Sequence, residues 1–316
     1  MPLVSVVMPV YNGGKYLGEA IESILSQTLS DLELVIVDDC STDGSAAIAR
    51  EYTNRDERVR LIQHDRNQGE ASTRNSGIAA SRGEFIAAMD CDDVSLPRRL
   101  EKQVGFLQSH PNIGLVGTFL QTASADLTGR QSHEYPLQHA FIVLYWILSG
   151  GTTCAGPAFM ARRDILMSVG GYEESRRIVD DKELFSRLYG KTRFANLPDA
   201  LYLHRQHDGQ ISTTLPQEQK IESFAIRLRW LKRIGVDASG ATLERFDRQR
   251  WGSKFGWLEW WLLRRDFKRL INGMVAAKIL VESDMPLVEA EMSGRLESAK
   301  PRRWQQFIHW RRHRFQ

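Results

Sequence analysis

Over its first 110 residues the sequence switches repeatedly between two periods. Short β-branched runs alternate with amphipathic stretches: "VSVVMPV" then residues 16–27, "ELVIVDD" then 44–52, "VRLIQH" then 70–81, and "EFIAAMD" then 96–108. Side chains that alternate with a period of two suit a strand, and those repeating every 3.6 residues suit a helix, so each pair reads as one βα unit. A helix between successive strands lets them run parallel. The fold class this predicts is α/β, a mainly parallel Rossmann-like sheet flanked by helices. Ligands in such sheets sit at the carboxyl ends of the strands, which is where the polar clusters fall.

Beyond the fourth unit, "NIGLVGTFL" reads as a strand, followed by an irregular stretch to about Tyr135. A Gly-rich apolar segment "SGGTTCAGPAFMA", short helices at 163–169 and 182–189, and an apparent loop "YLHRQHDGQIS" come next. From Pro216 the pattern is helical, which sets a boundary near Leu215: a ligand-binding domain over 1–215 and a helical, basic, Trp-rich region over 216–316. A hydrophobic content of 42% in 316 residues supports a substantial core. Cys40, Cys91 and Cys154 are too scattered for a disulfide framework or a CxxC zinc site, which points to a reducing compartment. The chain opens directly on a strand-like run, and no apolar run reaches the ~18 residues of a spanning helix. The expected location is cytoplasmic, with peripheral attachment to the inner face of a membrane as the furthest departure.

Three strand-end clusters carry candidate chemistry: "PVYNGG", "VDDCSTDGS" and "MDCDD". In an extended backbone Asp90 and Asp92 would project to one side and Cys91 away from them. Two carboxylates on one side repel unless a cation stands between them, and a hard divalent ion such as Mg2+ or Mn2+ takes oxygen ligands together with substrate phosphates. The competing use of such acids is to cap the helix starting near Pro97, and Asp93 is assigned that role. In "VDDCSTDGS", Ser41, Thr42, Asp43 and Gly44 suffice for a turn and cap, which leaves Asp38 and Asp39. Such a carboxylate can accept from a ribose hydroxyl or from the ring N–H of a base. Dinucleotide binding would need G-x-G-x-x-G after the first strand; the turn Asn12-Gly13-Gly14-Lys15-Tyr16-Leu17-Gly18 lacks that spacing, which argues against hydride transfer.

Taken together, "VSVVMPVYNGGKYL", "VDDCSTDGS", "NQGEASTRNSGIAASRGEFIAAMDCDD", "GGYEE" and "DDKELFSRL" resemble family 2 glycosyltransferases of the GT-A nucleotide-sugar fold, over roughly residues 3–212. The resemblance implies a base pocket of Pro9, Tyr11 and Asp39 and a wall beside the nucleotide made by Asn67, Gly69 and Arg74. It also implies a donor-binding stretch at Asp90 and Cys91, with Asp90 on the ribose side, and a Mn2+ or Mg2+ site at Asp92. Arg74 has a reading of its own, since a guanidinium forks onto a phosphate or holds a carboxylate in place. Asp180 and Glu183 read as a capping box at a helix start, and Asp181 falls where the family has the acid that takes a proton from the acceptor hydroxyl. The pair Asp180-Asp181 stands where the family usually has Glu-Asp. "Arg205-Gln206-His207" matches an Arg-x-His context that places His207 beside the diphosphate and the metal, although a histidine on such a loop is more often only hydrogen-bonded.

The activity so implied is metal-dependent, inverting transfer from a nucleotide-sugar donor, a UDP-sugar by expectation, to a saccharide or lipid-linked acceptor in surface polysaccharide or glycolipid synthesis. The alternatives are a polyprenyl-phosphate glycosyltransferase, whose acceptor needs little or no base, and a non-catalytic nucleotide-sugar-binding protein. From Lys300 to Gln316 there are six Lys or Arg and no acid, interleaved with Trp304, Phe307, Trp310 and Phe315. This pattern fits an anionic membrane surface better than nucleic acid; the other reading is a helical subdomain whose Trp residues pack against the sheet domain or another subunit.

Overall fold

The computed structural model describes residues 1–151, 153–175, 178–208, 210, 216–250 and 255–300. All four βα units are present: β1 (Val4–Val10) with α1 (Gly14–Leu25), β2 (Leu32–Asp38) with α2 (Ser45–Arg55), β3 (Val59–Gln63) with α3 (Glu70–Ala80), and β4 (Phe85–Ala88) with α4 (Arg99–Ser109). A two-residue strand, β5 (Val94–Ser95), precedes α4. The chain continues through β6 (Ile113–Ala123), β7 (Gln131–His133), α5 (His139–Ser149), β8 (Met160–Arg162), α6 (Arg163–Ser168), α7 (Asp180–Leu188) and β9 (Arg193–Arg205).

These strands form one sheet in the order β3-β2-β1-β4-β8-β6-β9-β5, with β7 on β6. β1 runs parallel to β2 and β4, β2 to β3, and β6 to β9, while the short β8 is antiparallel to both β4 and β6. β5 is antiparallel to β9 and β7 to β6, so the sheet is mixed, with its parallel pairings in the β3-β2-β1-β4 half and between β6 and β9. β1 and β2 are near-continuous apolar runs because helices cover both of their faces, and Val6, Met8, Leu34, Ile36, Phe85 and Ala87 lie in the core beneath them. α3 approaches closely through Gly77, where a Cβ would stand 2.4 Å from Val7 Cγ1.

Two elements departed from the sequence reading. β9 takes in Tyr202–Arg205, the first four residues of the segment read as a loop, and ends there; its period is broken by Pro198 and Asp199, which the register passes over between Leu197 opposite Thr118 and Ala200 opposite Phe119. α5, "HAFIVLYWILS", is apolar almost all round, so it has no stripe to betray a helix.

The described residues fall into two units, one over 1–142 and 152–222, the other over 143–151 and from 223 onward. The second unit contains α8 (Pro216–Arg233, from residue 223), α9 (Gly240–Arg250), α10 (Trp257–Ala276) and α11 (Met285–Ala299). Within it Trp146 meets Trp230 edge-on at 5.3 Å, and Arg227 forks onto Asp247 at 2.8 and 2.9 Å. The basic tail read over 300–316 lies outside the described residues from 301 onward.

Candidate active site

The loops after β1 and β2 brace each other at the carboxyl edge of the sheet. Asn12, in the left-handed region at φ 54°, accepts from the Thr42 N–H at 2.8 Å, and the Gly14 N–H donates to Asp43 Oδ2 at 2.9 Å. Pro9 is half-buried at the end of β1, and Tyr11 beside it is 55% exposed. Asp39 is buried. Its carboxylate accepts from the Gln68 and Gly69 N–H groups at 2.9 Å each and meets His64 Nδ1 at 2.7 Å, so it fastens the loop before α3. Gly69 has φ +90°, a conformation that side chains rarely adopt, and Asn67 is exposed on the same loop.

After β4 the backbone does not stay extended but turns at 91–92, so alternation does not explain how the acids meet. They converge nonetheless: Asp90, Asp92 and Asp93 each offer an oxygen within 4.8 Å of the others. Cys91 packs away from them, its sulfur 2.6 Å from where a Cβ on Gly13 would stand. Asp93 is not a helix cap. It is fully buried and accepts from the Arg205 N–H at 2.8 Å while meeting His204 Nδ1 at 3.1 Å, and α4 begins without a side-chain cap.

Arg205 also donates through Nε to the Asp92 carbonyl at 2.7 Å, and His207 Nε2 lies 2.9 Å from Asp92 Oδ2. The end of β9 is thus stitched to the acidic turn. Burial alone would lower the His204 pKa, but the hydrogen bond and charge of Asp93, with Asp90 and Asp92 behind it, raise it to about 9. Burial raises Asp93 to about 6 against the pull of His204, so at neutral pH the two form a buried ion pair.

Arg74 joins this turn to the second acidic group. Buried on α3, it donates to Glu70 at 2.5 Å and to Asp90 at 2.8 Å, and its Nε lies 3.8 Å from Asp180 Oδ2. Asp180 and Glu183 form no capping box: α7 starts from Val179 at φ 53°, and Glu183 pairs with Arg187 at 2.6 Å. Instead Asp180 Oδ1 accepts from the Asp181 N–H at 2.9 Å, and its buried Oδ2 has no hydrogen-bond partner among the described residues. Asp181 lies against Gly156, where a Cβ would come within 2.7 Å of its Oδ2. Glu70, Arg74, Asp90, Gly156, Pro157, Tyr172, Asp180 and Asp181 line one cavity of about 150 Å³.

Burial, reinforced by the charge of Glu70 and opposed by Arg74, raises Asp180 to about 7. Burial likewise raises Asp181, against the pull of Lys182 and Arg74. A carboxylate held in this way is more basic than one in water, as a proton acceptor needs to be.

Of the residues singled out in the sequence, Arg74, Asp90 and Asp181 share the cavity, Asp92 and His207 pair beside it, and Asp39 and Gly69 meet in the loop before α3. Glu70 carries no role in the sequence reading; Gly156 and Tyr172 lie in two quoted segments without a role of their own, and His204 and Arg205 stand there as neighbours of His207, not as the partners of Asp93. Glu70 stands four residues before Arg74 on a helix, a pairing signal visible in sequence. The contacts of Asp93 with His204 and Arg205 span more than a hundred residues and leave no local trace.

The donor set suits a hard divalent ion. Asp90 is held by Arg74 and Asp93 by Arg205 and His204, which leaves Asp92 and His207 as a partly exposed carboxylate and imidazole facing each other; the carboxylate suits either Mg2+ or Mn2+, and the imidazole nitrogen suits the transition ion Mn2+ better than Mg2+.

Such a sheet, with acids at its carboxyl edge and a helical C-terminal region, is the architecture of GT-A glycosyltransferases. The model of glycosyl transferase family 2 matches residues 5–170, and the chain belongs to that family. A Bacillus subtilis (strain 168) protein, a glycosyltransferase by its name, EpsE, is 36% identical over 213 residues, covering 65% of this chain and 73% of the relative. Glycosyltransferase GlyG of Streptococcus pneumoniae is 29% identical over 236 residues, 67% of this chain and 73% of its own. Among solved structures, S. aureus TarS 1–349 in complex with UDP-GlcNAc superposes with a TM-score of 0.62 at 19% identity, over 95% of this chain and 89% of that one. The mannosyltransferase PcManGT from Pyrobaculum calidifontis, in complex with GDP-Man and Mn2+, gives 0.57 at 18% identity, over 94% and 86%. The protein is an enzyme of glycosyl transfer.

Proposed function

We propose that this enzyme transfers a sugar, with inversion, from a UDP-sugar to an acceptor hydroxyl in polysaccharide or glycolipid assembly, and that it requires a divalent cation. Residues 1–215 form the catalytic domain in this reading, and 216–316 form a basic helical region suited to an anionic membrane surface. The observation that carries it is the cavity in which Arg74 links Asp90 to the Asp180-Asp181 pair. Donor-side and acceptor-side carboxylates then face one small space, as a single displacement requires.

Pro9, Tyr11 and Asp39 receive the base, with Asn67 and Gly69 beside the nucleotide. Asp39 has most of its acceptor capacity engaged by the loop it holds, so its share in recognition is to keep that loop shaped as well as to accept from the base. Asp90 and the backbone around Cys91 meet the ribose. Asp92 and His207 would hold Mn2+ or Mg2+, which supplies positive charge to a departing diphosphate. Arg74 keeps Asp90 in place and offers a cation at the cavity wall. Asp181 takes the proton of the acceptor hydroxyl as its oxygen attacks the anomeric carbon from the face opposite the leaving group, and attack from that face inverts the configuration.

A panel of nucleotide sugars assayed for diphosphate release with Mn2+ tests this. Asp181→Asn should bind UDP as the wild type does but lower kcat by about 10²–10⁴-fold. Full transfer activity in that variant would remove the base role and favour a phosphate acceptor.

A further inference from the structure

α10 has one face that the sugar-transfer reading does not use. Trp257, Leu258 and Trp261 are 49%, 70% and 55% exposed on its first turns. Arg264, Lys268 and Arg269, also exposed, continue the same side. At 3.6 residues per turn these six fall within an arc of about 140°. Arg265 lies in that arc as well, its guanidinium 5.7 Å from the Trp261 ring.

The acids of the helix lie off this arc, Glu259 paired with Arg248 at 2.6 Å and the buried Asp266 with Arg245 at 2.5 Å; Asp266 also accepts from Arg265 at 3.2 Å, so that guanidinium is not counted toward the free charge of the face. Leu263, Phe267, Leu270 and Met274 occupy the opposite, buried side, and the Trp260 indole N–H is spent on the Leu296 carbonyl at 3.0 Å. The outward face is thus aromatic at one end and basic along the rest, with no acid among the described residues.

Charge decides what can cover it. A second copy would set one basic face against another. Residues 301–316 carry five Arg and no acid, so they cannot neutralise it either. Both point to an anionic partner. Among the described residues no helix is long and apolar enough to cross a membrane, so the contact would lie along a surface. Indole rings settle at the headgroup level of a bilayer, and Lys and Arg beside them meet lipid phosphates.

We propose that this face of α10 docks on an anionic lipid bilayer, Trp257, Leu258 and Trp261 entering the headgroup layer and Arg264, Lys268 and Arg269 pairing with phosphates. The proposal rests on the membrane-facing reading of the C-terminal region given above and narrows it to one helix face, while it does not depend on the sugar-transfer chemistry.

The test is sedimentation of the full chain with phosphatidylcholine vesicles, with and without phosphatidylglycerol. Binding is expected only to the anionic vesicles. Trp257→Ser with Trp261→Ser, and separately Arg264→Gln with Lys268→Gln, should each lower partitioning by on the order of tenfold, with circular dichroism and melting unchanged. Hydrolysis of UDP-sugar without vesicles reads the catalytic proposal separately and should stay at the wild-type rate. Equal binding to neutral vesicles, wild-type binding by the α10 variants, or a self-association in sedimentation velocity abolished by Trp257→Ser would overturn the proposal.

Discussion

At the scale of single residues, the departure from Glu-Asp to Asp180-Asp181 has a physical consequence. The shorter Asp180 side chain stays close to its own backbone, accepting from the Asp181 N–H at 2.9 Å and leaving Oδ2 buried toward Arg74. Asp181's charge adds to the burial that raises Asp180, so the two acids titrate as a pair with shared apparent pKa values. A base works deprotonated, so activity falls as pH drops through the apparent pKa of the pair. Asp180→Asn removes one charge and should move the acidic limb of kcat/KM to lower pH, read from a pH–rate profile. A limb that stays in place would mean that Asp180 has no electrostatic hold on the proton acceptor.

At the scale of elements, two contacts fix where the chemistry stands. α3 brings Arg74 to the cavity, and it lies on β1 and β2 through Gly77, where an added Cβ would stand 2.4 Å from Val7 Cγ1 and 3.3 Å from Val37 Cγ2. Both valines are β-branched and buried, so they cannot swing aside. Gly77→Ala should cost about 1–3 kcal/mol and lower Tm by roughly 3–10 °C in a calorimetric scan. The other contact is the stitch of β9 to the acidic turn through Asp93. His204 is raised from 6.5 to about 9, so the stability it contributes is whole below about pH 6.5 and is lost as pH rises through about 9. An NMR titration should find the His204 ring still protonated at pH 8 in the wild type, and should find its pKa lowered by more than one unit in Asp93→Asn. An unchanged value would place the source of the shift elsewhere.

Across the whole molecule, what was legible was whatever repeats locally. Four changes of period announced the parallel half of the sheet, and its carboxyl edge announced the site, because strand-end acids such as Asp39, Asp90 and Asp92 are conspicuous after apolar runs. The antiparallel insertion of β8, the bulged β9 and the all-apolar α5 have no period to read, and the link from Arg74 to Asp180 exists only once strands far apart in sequence have paired. The same assembly sets six acids, Glu70, Asp90, Asp92, Asp93, Asp180 and Asp181, near one edge of a chain whose formal charge is +3. Arg74, Arg205 and His204 answer part of that charge, while the partly exposed Asp92 carboxylate meets the His207 ring. A group that binds the folded chain and not the unfolded one stabilises it by about 2.7 kcal/mol at a hundred times its dissociation constant. Mn2+ together with UDP should therefore raise Tm by several degrees in wild type, by less in His207→Ala, and in Asp92→Ala by no more than UDP does without Mn2+. If Asp92→Ala keeps the full shift, the cation is held by the nucleotide or by other side chains, and the acidic turn serves the fold rather than the diphosphate.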